Sequence, residues 1–396
     1  MPIRLTPREK QIAKKLADSK NISGSHSPSP AMLEKAGVTI QHDFCYLSNP
    51  YATELFLKYF KKDFRDAGKL HTLIEHYPSQ NRALAEKLTK VAGISAEHIF
   101  VGNGASEIIQ AVLQNLVGVK LLQSRRSLTP TKILVPVPTF SPYLEFVPKE
   151  VRVVKLQLHQ KNSFRLNLNK LLAEVIKEKP DTVVIINPNN PDGGYLDASK
   201  LQRLLYTLRK VETVIVDESF IHFATRRIES VGRLVEKYSN LIVIKSLSKD
   251  FGIAGLRLGY AVMSEKRVSA LLERGYLWNV SGFGEYFLGL LSRKDFLKSY
   301  EMARLTAIRE RDAFFRELSG INGIKVYPSK ANMFLIKLLD GTKASDLMVR
   351  LLVRHGIYVR TCYDKVGLTG EFIRVASRTA GENEKFIQAL KEALSF

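Results

Sequence analysis

The sequence predicts an α/β protein with a large domain followed by a smaller α+β domain. Two observations lead to this prediction. Apolar runs short enough for buried strands alternate with amphipathic helical segments through the first two thirds of the 396 residues. A long charged helical segment at 283–320 then leads to shorter strand candidates. We therefore expect an N-terminal arm at 1–45, a large domain at 46–285 and a small domain at 286–396.

The composition is that of an ordinary globular protein, with 45% hydrophobic and 9% aromatic residues. The two cysteines, Cys45 and Cys362, form neither a metal-binding nor a disulfide pattern, which is typical of a reducing cytosol. Residues 1–15 lack the apolar core of a signal peptide, and no apolar run reaches about 18 residues. We expect a soluble cytoplasmic protein without a metal site or a membrane partner.

The chain is strongly basic. Lys and Arg number 60 against 39 Asp and Glu, which gives a net charge of +21. The basic residues are scattered, and no helix-turn-helix, zinc or RNA-binding motif accompanies them. We therefore expect a solvated basic surface that favours anionic small molecules, and no nucleic-acid partner.

The first part of the chain shows helix and turn signals. A basic amphipathic helix is predicted at Arg8–Ala17, and a polar, proline-containing linker follows at Asn21–Pro30, so this segment is predicted to be an arm. An Asn-Pro turn at Asn49-Pro50-Tyr51 comes next. His76-Tyr77-Pro78 then precedes a helix predicted at Asn81–Ala92, which is rich in Ala, Leu and Lys.

A glycine-containing turn, Gly102-Asn-Gly104, opens a helix at Ala105 and Ser106 that carries apolar residues at helical spacing. Glycines let the backbone turn tightly. The first amides of a helix have no partner inside it, so they are available to an anion. A lone Gly-x-Gly is a weak signal, and it gains meaning only from the motifs downstream.

Three buried strand candidates end in side chains that can carry chemistry: Lys132–Val137 leads to Phe140, Thr182–Ile186 leads to Asn190, and Thr213–Val216 leads to Asp217. The carboxyl ends of strands in an α/β sheet border the crevice where ligands bind. An aromatic ring, a rigidly held amide and a carboxylate at these positions are therefore candidates for a ligand site.

The segment 241–260 combines a strand candidate with a polar turn and a second apolar run. Ser246, Ser248, Lys249 and Arg257 lie in or beside the turn, which suggests an anion site next to a reactive amine. A lysine among cations loses part of its preference for the charged form and becomes nucleophilic. Near the C-terminus, Arg360, Arg374 and Arg378 lie on or beside strand candidates, and the guanidinium group can bind a carboxylate with two hydrogen bonds.

The stretch from Ser246 to Gly259 resembles the Ser-x-Ser-Lys-x-Phe-Gly-x-x-Gly-x-Arg-x-Gly signature of fold-type I pyridoxal-phosphate enzymes. The resemblance implies that fold, with a mixed, mostly parallel sheet, and pyridoxal 5'-phosphate as the cofactor. Lys249 falls on the lysine that holds the cofactor covalently and moves the α-carbon proton. Asp217 falls on the carboxylate that keeps the pyridine nitrogen protonated. The remaining cofactor contacts implied are phosphate contacts from Ala105, Ser106, Ser246, Ser248 and Arg257, ring stacking by Phe140, and a phenolic-oxygen contact from Asn190.

Further motifs are similar to those of histidinol-phosphate aminotransferase and threonine-phosphate decarboxylase. Arg374 falls on the arginine that binds the substrate α-carboxylate, and Arg360 and Arg378 are candidates for a second anion. Asn49 and Tyr51 are candidate substrate contacts, although the first Asn of the family's Asn-x-Asn-Pro-Tyr segment is missing. The resemblance also implies a homodimer with a shared active site, in which Tyr77 reaches the cofactor phosphate of the neighbouring subunit.

Two departures from the aminotransferase pattern are Asp192 for the usual threonine and Phe220 for the usual tyrosine. The superfamily as a whole favours transamination, so we predict an aminotransferase acting on a small phosphorylated amine or amino acid. The alternative is a decarboxylase of an O-phospho-amino acid, which the Asp-Glu-x-Phe segment and the C-terminal motifs resemble more. A non-catalytic relative, a regulator or an assembly subunit, is the other class, but such proteins usually lose the lysine that this chain keeps as Lys249.

Overall fold

The computed structural model describes residues 2–23, 28–117, 131–276 and 278–394. The strands within these ranges are β1 (His42–Asp43), β2 (Ile99–Gly102), β3 (Lys132–Val137), β4 (Arg152–Gln157), β5 (Thr182–Ile186), β6 (Thr213–Asp217), β7 (Leu241–Ser246), β8 (Gly259–Val262), β9 (Ile324–Val326), β10 (Met333–Leu338), β11 (Ile357–Tyr358), β12 (Arg360–Thr361) and β13 (Phe372–Ala376).

The α-helices within the described ranges are α1 (Pro7–Ser23), α2 (Pro30–Lys35), α3 (Pro50–Asp63), α4 (Ala67–Glu75), α5 (Asn81–Ala92), α6 (Ala105–Val112), α7 (Pro142–Glu145), α8 (Leu168–Glu178), α9 (Ala198–Thr207), α10 (Ile221–Ala224), α11 (Glu265–Leu272), α12 (Gly282–Leu290), α13 (Lys294–Ser319), α14 (Ala344–His355) and α15 (Ala380–Leu394). A π-helical turn at Leu113–Val117 continues α6. None of the described helices is long and apolar enough to cross a membrane.

The chain divides into two units, and the larger one comprises residues 48–190 and 194–306. It contains a seven-stranded sheet in the order β2-β8-β7-β6-β5-β3-β4. All neighbouring strands are parallel except β8, which runs antiparallel to both β2 and β7. This mixed, mostly parallel sheet confirms the predicted fold class.

Both faces of this sheet are buried. Successive side chains of a strand point to opposite faces. In β7, Leu241 and Val243 accordingly belong to one apolar cluster, whereas Ile242 and Ile244 belong to another. Strands covered on both sides read as continuous apolar runs, which explains why β3, β5 and β6 are evident in the sequence. The carboxyl ends of these parallel strands and of β7 meet at one edge of the sheet.

The second unit comprises residues 1–47, 191–193 and 307–396. Its four-stranded antiparallel sheet has the order β12-β13-β10-β9, and β1 pairs in parallel with β11. Phe44, Phe314 and Phe386 pack in its core with ring centroids 4.8–6.3 Å apart. The division into two units does not test the domain boundaries predicted at residues 45 and 285, which stay a prediction. Of the predicted linker at 21–30, residues 24–27 lie outside the described residues.

Candidate active site

The glycine turn before α6 fits closely against Arg257. Gly104 has φ +86°, a conformation that a side chain rarely adopts, and an added Cβ would lie 2.6 Å from Arg257 Nη2. The guanidinium group therefore lies beside the start of α6. Gly259 of β8 also packs closely, since its added Cβ would be 3.0 Å from the Ala105 nitrogen. The turn, Ala105 and Arg257 thus form one cradle.

The turn after β7 carries the predicted lysine. Ser246 and Ser248 are buried, and the Ser248 amide donates a 3.2 Å hydrogen bond to Ser246 Oγ. Lys249 is partly exposed. Arg257 has φ +52° and donates from Nη1 to the Ala254 carbonyl at 3.1 Å. The structure therefore gathers the cations and hydroxyls of this motif around the turns that follow β7 and precede β8 and α6.

Asp217 lies at the carboxyl end of β6, buried and next to β7 in the sheet. Its carboxylate accepts a 2.8 Å hydrogen bond from the Tyr143 hydroxyl and a 2.9 Å bond from the Ser219 amide. Burial raises the pKa of Asp217 above its ordinary value, and the bonds from Ser219 and Tyr143 oppose this rise. Such a carboxylate is suited to pair with a cation, and a protonated ring nitrogen would be such a cation.

Two neighbouring turns hold the predicted ring and amide. Phe140 follows β3 and is partly exposed, and its carbonyl accepts from the Tyr143 amide at 3.2 Å. Asn190 follows β5 and is buried. Asn189 Nδ2 donates to the Pro138 carbonyl at 3.1 Å and so joins the two turns. Phe140 and Asn190 therefore lie at the same sheet edge as Asp217.

Taken together, these residues fit pyridoxal phosphate. The cradle at Gly104 leaves no room for a side chain. It combines the start of a helix with a guanidinium group and nearby hydroxyl groups, and these groups together are suitable donors for a phosphate group. The buried Asp217 carboxylate lies at the same sheet edge and is suited to a cationic ring. Lys249 would supply the amine. Within the described residues, no group of His, Cys, Asp and Glu is arranged to hold a metal ion.

Asn49 and Tyr51 were predicted as substrate contacts, and the structure gives Asn49 other bonds. The Asn49 side chain caps α3 by accepting from the Tyr51 amide at 3.1 Å, and its Nδ2 donates to the Asp250 carbonyl at 3.1 Å. The Asn49 amide also donates to the Lys249 carbonyl at 2.8 Å. Asn49 thus fastens the start of α3 to the turn that carries Lys249. The role of Asn49 and Tyr51 in substrate binding stays a prediction.

Tyr77 lies on the surface of the larger unit. It is 84% exposed, and its ring centroid is 5.5 Å from that of Trp278, which is 49% exposed. Helix α4, which precedes it, contains no buried residue despite its leucines and isoleucine. An exposed aromatic pair next to such a helix is typical of a surface that a partner covers.

The second unit holds Arg360 and Arg374 directly opposite each other on β12 and β13. Both are buried; Arg374 Nη2 donates to the Cys45 carbonyl at 2.8 Å, and Arg360 Nη2 lies 2.5 Å from Asp364 Oδ2. Lys365 is buried beside them. Burial is the main cause that lowers the pKa of Lys365 to about 8, and the charges of Arg374 and Arg360 add to it while Asp364 opposes it.

Arg378 is held differently. Its Nη2 forms an ion pair with Glu382 Oε1 at 3.0 Å, and its amide donates to Asn383 Oδ1 at 2.9 Å. Its predicted contact with a second anion stays a prediction.

Sequence reasoning missed Lys365, which no motif marks, and it missed the bond from Tyr143 to Asp217. The tyrosine could have been found, because it follows Phe140 closely at the end of a strand.

The chain is similar to known proteins of one family. The family described as aminotransferase class I and II matches residues 47–390. The chain is 48% identical over 396 residues to L-serine phosphate decarboxylase of Campylobacter jejuni, and the alignment covers 98% of each. A solved structure of a decarboxylase from Sulfurospirillum multivorans is similar with a TM-score of 0.87 and 43% identity, over 98% of this chain and 99% of that one. Histidinol-phosphate aminotransferase of Caldanaerobacter subterraneus is 32% identical over 82% of this chain and 86% of its own length.

These identities contradict the prediction that the chain is an aminotransferase. Two proteins named as decarboxylases share 48% and 43% identity with it over nearly the whole chain, whereas the aminotransferase shares 32%. The tendency of the superfamily toward transamination led to the wrong prediction. The Asp217-Glu-x-Phe220 segment, which resembles the decarboxylase, indicated the reaction that these identities favour. The general resemblance, in contrast, is confirmed. The chain belongs to the class I and II aminotransferase family, in the branch that includes histidinol-phosphate aminotransferase and phospho-amino-acid decarboxylases, and its cofactor is pyridoxal phosphate.

Proposed function

We propose that this protein is a pyridoxal-phosphate-dependent decarboxylase of an O-phosphorylated amino acid, with L-serine phosphate as the first candidate substrate. The observation that carries the proposal is the buried cation group of Arg360, Arg374 and Lys365. Guanidinium and ammonium groups bind carboxylates and phosphates, and a phosphorylated amino acid brings one group of each kind. The 48% identity to an L-serine phosphate decarboxylase supports the choice of reaction.

The proposed reaction is the loss of the α-carboxyl group. The bond between the α-carbon and the carboxylate breaks, carbon dioxide leaves, and a proton takes the place of the carboxylate on that carbon. The product is a phosphorylated amino alcohol. Bound pyridoxal phosphate supplies the electron sink that makes this bond cleavage accessible.

The residues of the larger unit hold the cofactor in this proposal. Lys249 binds it covalently and moves the proton at the α-carbon. Asp217, oriented by Tyr143, keeps the ring nitrogen protonated. The other proposed cofactor contacts are the phosphate contacts of Ala105, Ser106, Ser246, Ser248 and Arg257, the stacking of Phe140 and the amide of Asn190.

The residues of the second unit seat the anionic groups of the substrate. Arg374 is proposed for the α-carboxylate, since a guanidinium group binds a carboxylate through two parallel bonds. Arg360, Arg378 and Lys365 are proposed for the phosphate. In this proposal the cations would influence the reaction as well as the affinity, because they would determine how the carboxylate that leaves is held. Asn49 and Tyr51 remain proposed contacts of the substrate.

The protein is further proposed to be a cytoplasmic homodimer with shared active sites. Tyr77 would contact the cofactor phosphate of the neighbouring subunit. Its 84% exposure and the lack of buried residues in α4 support this assignment.

The proposal is tested by a substrate panel. Phosphoserine, phosphothreonine and histidinol phosphate are each supplied with 2-oxoglutarate, together with unphosphorylated serine as the matched control for the phosphate. Carbon dioxide release and glutamate formation are measured. We expect carbon dioxide without glutamate, and only from the phosphorylated amino acids. Glutamate formation without carbon dioxide would overturn the decarboxylase assignment, and equal turnover of serine would overturn the phosphate requirement.

A further inference from the structure

A buried group of charged side chains lies next to Lys249 in the sequence and takes no part in the proposed chemistry. Asp250 is fully buried, and its Oδ2 lies 2.7 Å from His222 Nδ1 and 3.0 Å from Lys245 Nζ. His222 Nδ1 is also 2.6 Å from the Tyr300 hydroxyl. We call Asp250, His222 and Lys245 the buried triad.

The triad joins elements that carry cofactor residues. Lys245 lies on β7, four positions before Lys249, and its Nζ is 3.4 Å from the Glu218 carbonyl, which directly follows Asp217. His222 lies on α10, and Arg304 of α13 donates to its carbonyl at 2.8 Å. The triad therefore ties the Lys249 turn to the ends of both β6 and β7.

The backbone of the Lys249 turn is held on its other side by α3. The Asn49 amide donates to the Lys249 carbonyl at 2.8 Å, and Thr53 Oγ1 donates to the Gly252 carbonyl at 2.7 Å. The ring of Phe251, the residue after Asp250, stacks on Tyr300 with centroids 4.0 Å apart. Every residue from Lys249 to Gly252 is thus fixed by a named contact.

We propose that Asp250 is a positioning residue, which holds the Lys249 amine in the position that the reaction requires through the buried ion pair with Lys245 and the 2.7 Å contact with His222. This inference rests on the proposed role of Lys249. The lysine side chain is a flexible four-carbon stem, so the position of its amine depends on the backbone from which it starts. A misplacement of about 1 Å can cost about 100-fold in rate.

The charges of Asp250 and Lys245 offset each other within the triad. Burial works to raise the pKa of Asp250, but the charge of Lys245 and the bond from His222 outweigh it and keep that pKa below its usual value. Burial, followed by the charge of Lys245, lowers the pKa of His222, so the imidazole is neutral near neutral pH. His222 Nδ1 lies within reach of both Asp250 Oδ2, at 2.7 Å, and the Tyr300 hydroxyl, at 2.6 Å. The triad is therefore one anion, one cation and one neutral imidazole.

The test separates a positioning role from a purely structural one. Asp250→Asn leaves Lys245 buried without its charge partner, so we expect a lower thermal midpoint together with a fall in kcat of about 10- to 100-fold. The double variant Asp250→Leu, Lys245→Met removes both charges, and replacement of a buried ion pair by apolar residues is often neutral for stability. We expect this variant to recover the thermal midpoint but not kcat.

A spectroscopic measurement on the holoenzyme accompanies the kinetics. The visible absorption band of the bound cofactor is titrated with pH, and the midpoint of its change is expected to shift in both variants. Asp63→Asn serves as the control, because it breaks a partly buried ion pair with Arg293 at 2.8 Å elsewhere in the same unit. It is expected to change the thermal midpoint and leave the band unchanged.

Recovery of kcat together with the thermal midpoint in the double variant would show that the triad is structural and would overturn the inference. An unchanged absorption band in both variants would do the same. Failure of the proposed function is a separate result, read from borohydride reduction of the unmodified holoenzyme. If the reduced cofactor is attached to a lysine other than Lys249, the function proposal fails before the triad is tested.

Discussion

The Tyr143 hydroxyl lies 2.8 Å from Asp217 Oδ2, and both side chains are buried. Burial, and then the charge of Asp217, raise the pKa of Tyr143 well above its ordinary value, so the phenol stays protonated and donates. The hydroxyl in turn helps to keep Asp217 ionised against the effect of burial. In the proposed function, this pair would set how well the Asp217 carboxylate holds a proton on the cofactor ring.

We predict that Tyr143→Phe lowers kcat by roughly tenfold, the cost of one hydrogen bond to a charged group. Without the bond the pKa of Asp217 rises further, so the carboxylate becomes protonated at higher pH. The acidic limb of the kcat/KM profile should move to higher pH. The exposed Tyr206→Phe is the matched control and should leave the profile in place. An unchanged acidic limb in Tyr143→Phe would contradict the assignment of Asp217.

Lys365 leads to a pH prediction for substrate affinity. Its pKa of about 8 means that the free protein loses this positive charge as pH rises through about 8. The KM for phosphoserine should therefore rise above that pH, while kcat changes little. In Lys365→Met the KM should be high at all pH values and lose this dependence. Lys298→Met, an exposed lysine, is the control. A KM that rises equally in Lys365→Met would assign the titration to another group.

The same pKa shift predicts how stability depends on pH. Because the folded-state pKa of Lys365 lies below its ordinary value of 10.5, the protein without bound anion loses stability as pH falls from about 10.5 to about 8. Inorganic phosphate should offset this loss, since it stabilises the charged form. The thermal midpoint with and without phosphate, measured across this range in both the natural protein and Lys365→Met, checks the sign.

Gly104→Ala should weaken cofactor binding. The backbone at φ +86° disfavours any side chain, and the new methyl group would meet Arg257 at 2.6 Å. Strain of this kind costs about 1–3 kcal/mol. Gly289→Ala is the matched control, because no atom lies within 4 Å of its added Cβ and the residue is helical. Cofactor titration by fluorescence should give a raised Kd for the first variant and an unchanged Kd for the second.

Tyr77 can be tested by mixing subunits. Tyr77→Ala and Lys249→Ala should each be poorly active alone. If Tyr77 acts across the dimer, a mixed dimer contains one site with both residues intact, so refolded mixtures should regain activity. If Tyr77 acts within its own subunit, neither site of the mixed dimer is intact. Absence of recovery in a mixture that forms mixed dimers would therefore refute the shared site.

The strands that lead to the proposed cofactor residues were predictable because of their burial. The sequence predicts Lys132–Val137 and Thr182–Ile186, and β3 and β5 have these bounds. Strands covered on both faces leave an apolar run, and the ligand-binding residue follows at its end. Helix α5 at Asn81–Ala92 was predicted for a different reason, since the segment is rich in Ala, Leu and Lys, which favour helix, and the structure gives the helix these bounds.

Contacts between distant segments were not predictable in the same way. Tyr143 and Asp217 are 74 residues apart, and only the folded sheet edge brings them together. Lys365 and the buried triad also have no local signature. The choice between transamination and decarboxylation depends on which bond stands perpendicular to the ring, and the spacing of motifs does not define that angle. The reaction type was therefore the prediction that failed.

Asn49 has a further consequence, for the chemical ageing of the protein. Its side chain accepts from one amide and donates to one carbonyl, a combination that aspartate at the same position cannot make. Asparagine slowly deamidates to aspartate when the N–H of the next residue attacks the side-chain amide. The next residue here is Pro50, which has no N–H. The exposed Asn103 and Asn322, each followed by a glycine, lack that protection. Deamidation on storage should therefore begin at Asn103 and Asn322 and spare the bonds that fasten the Lys249 turn.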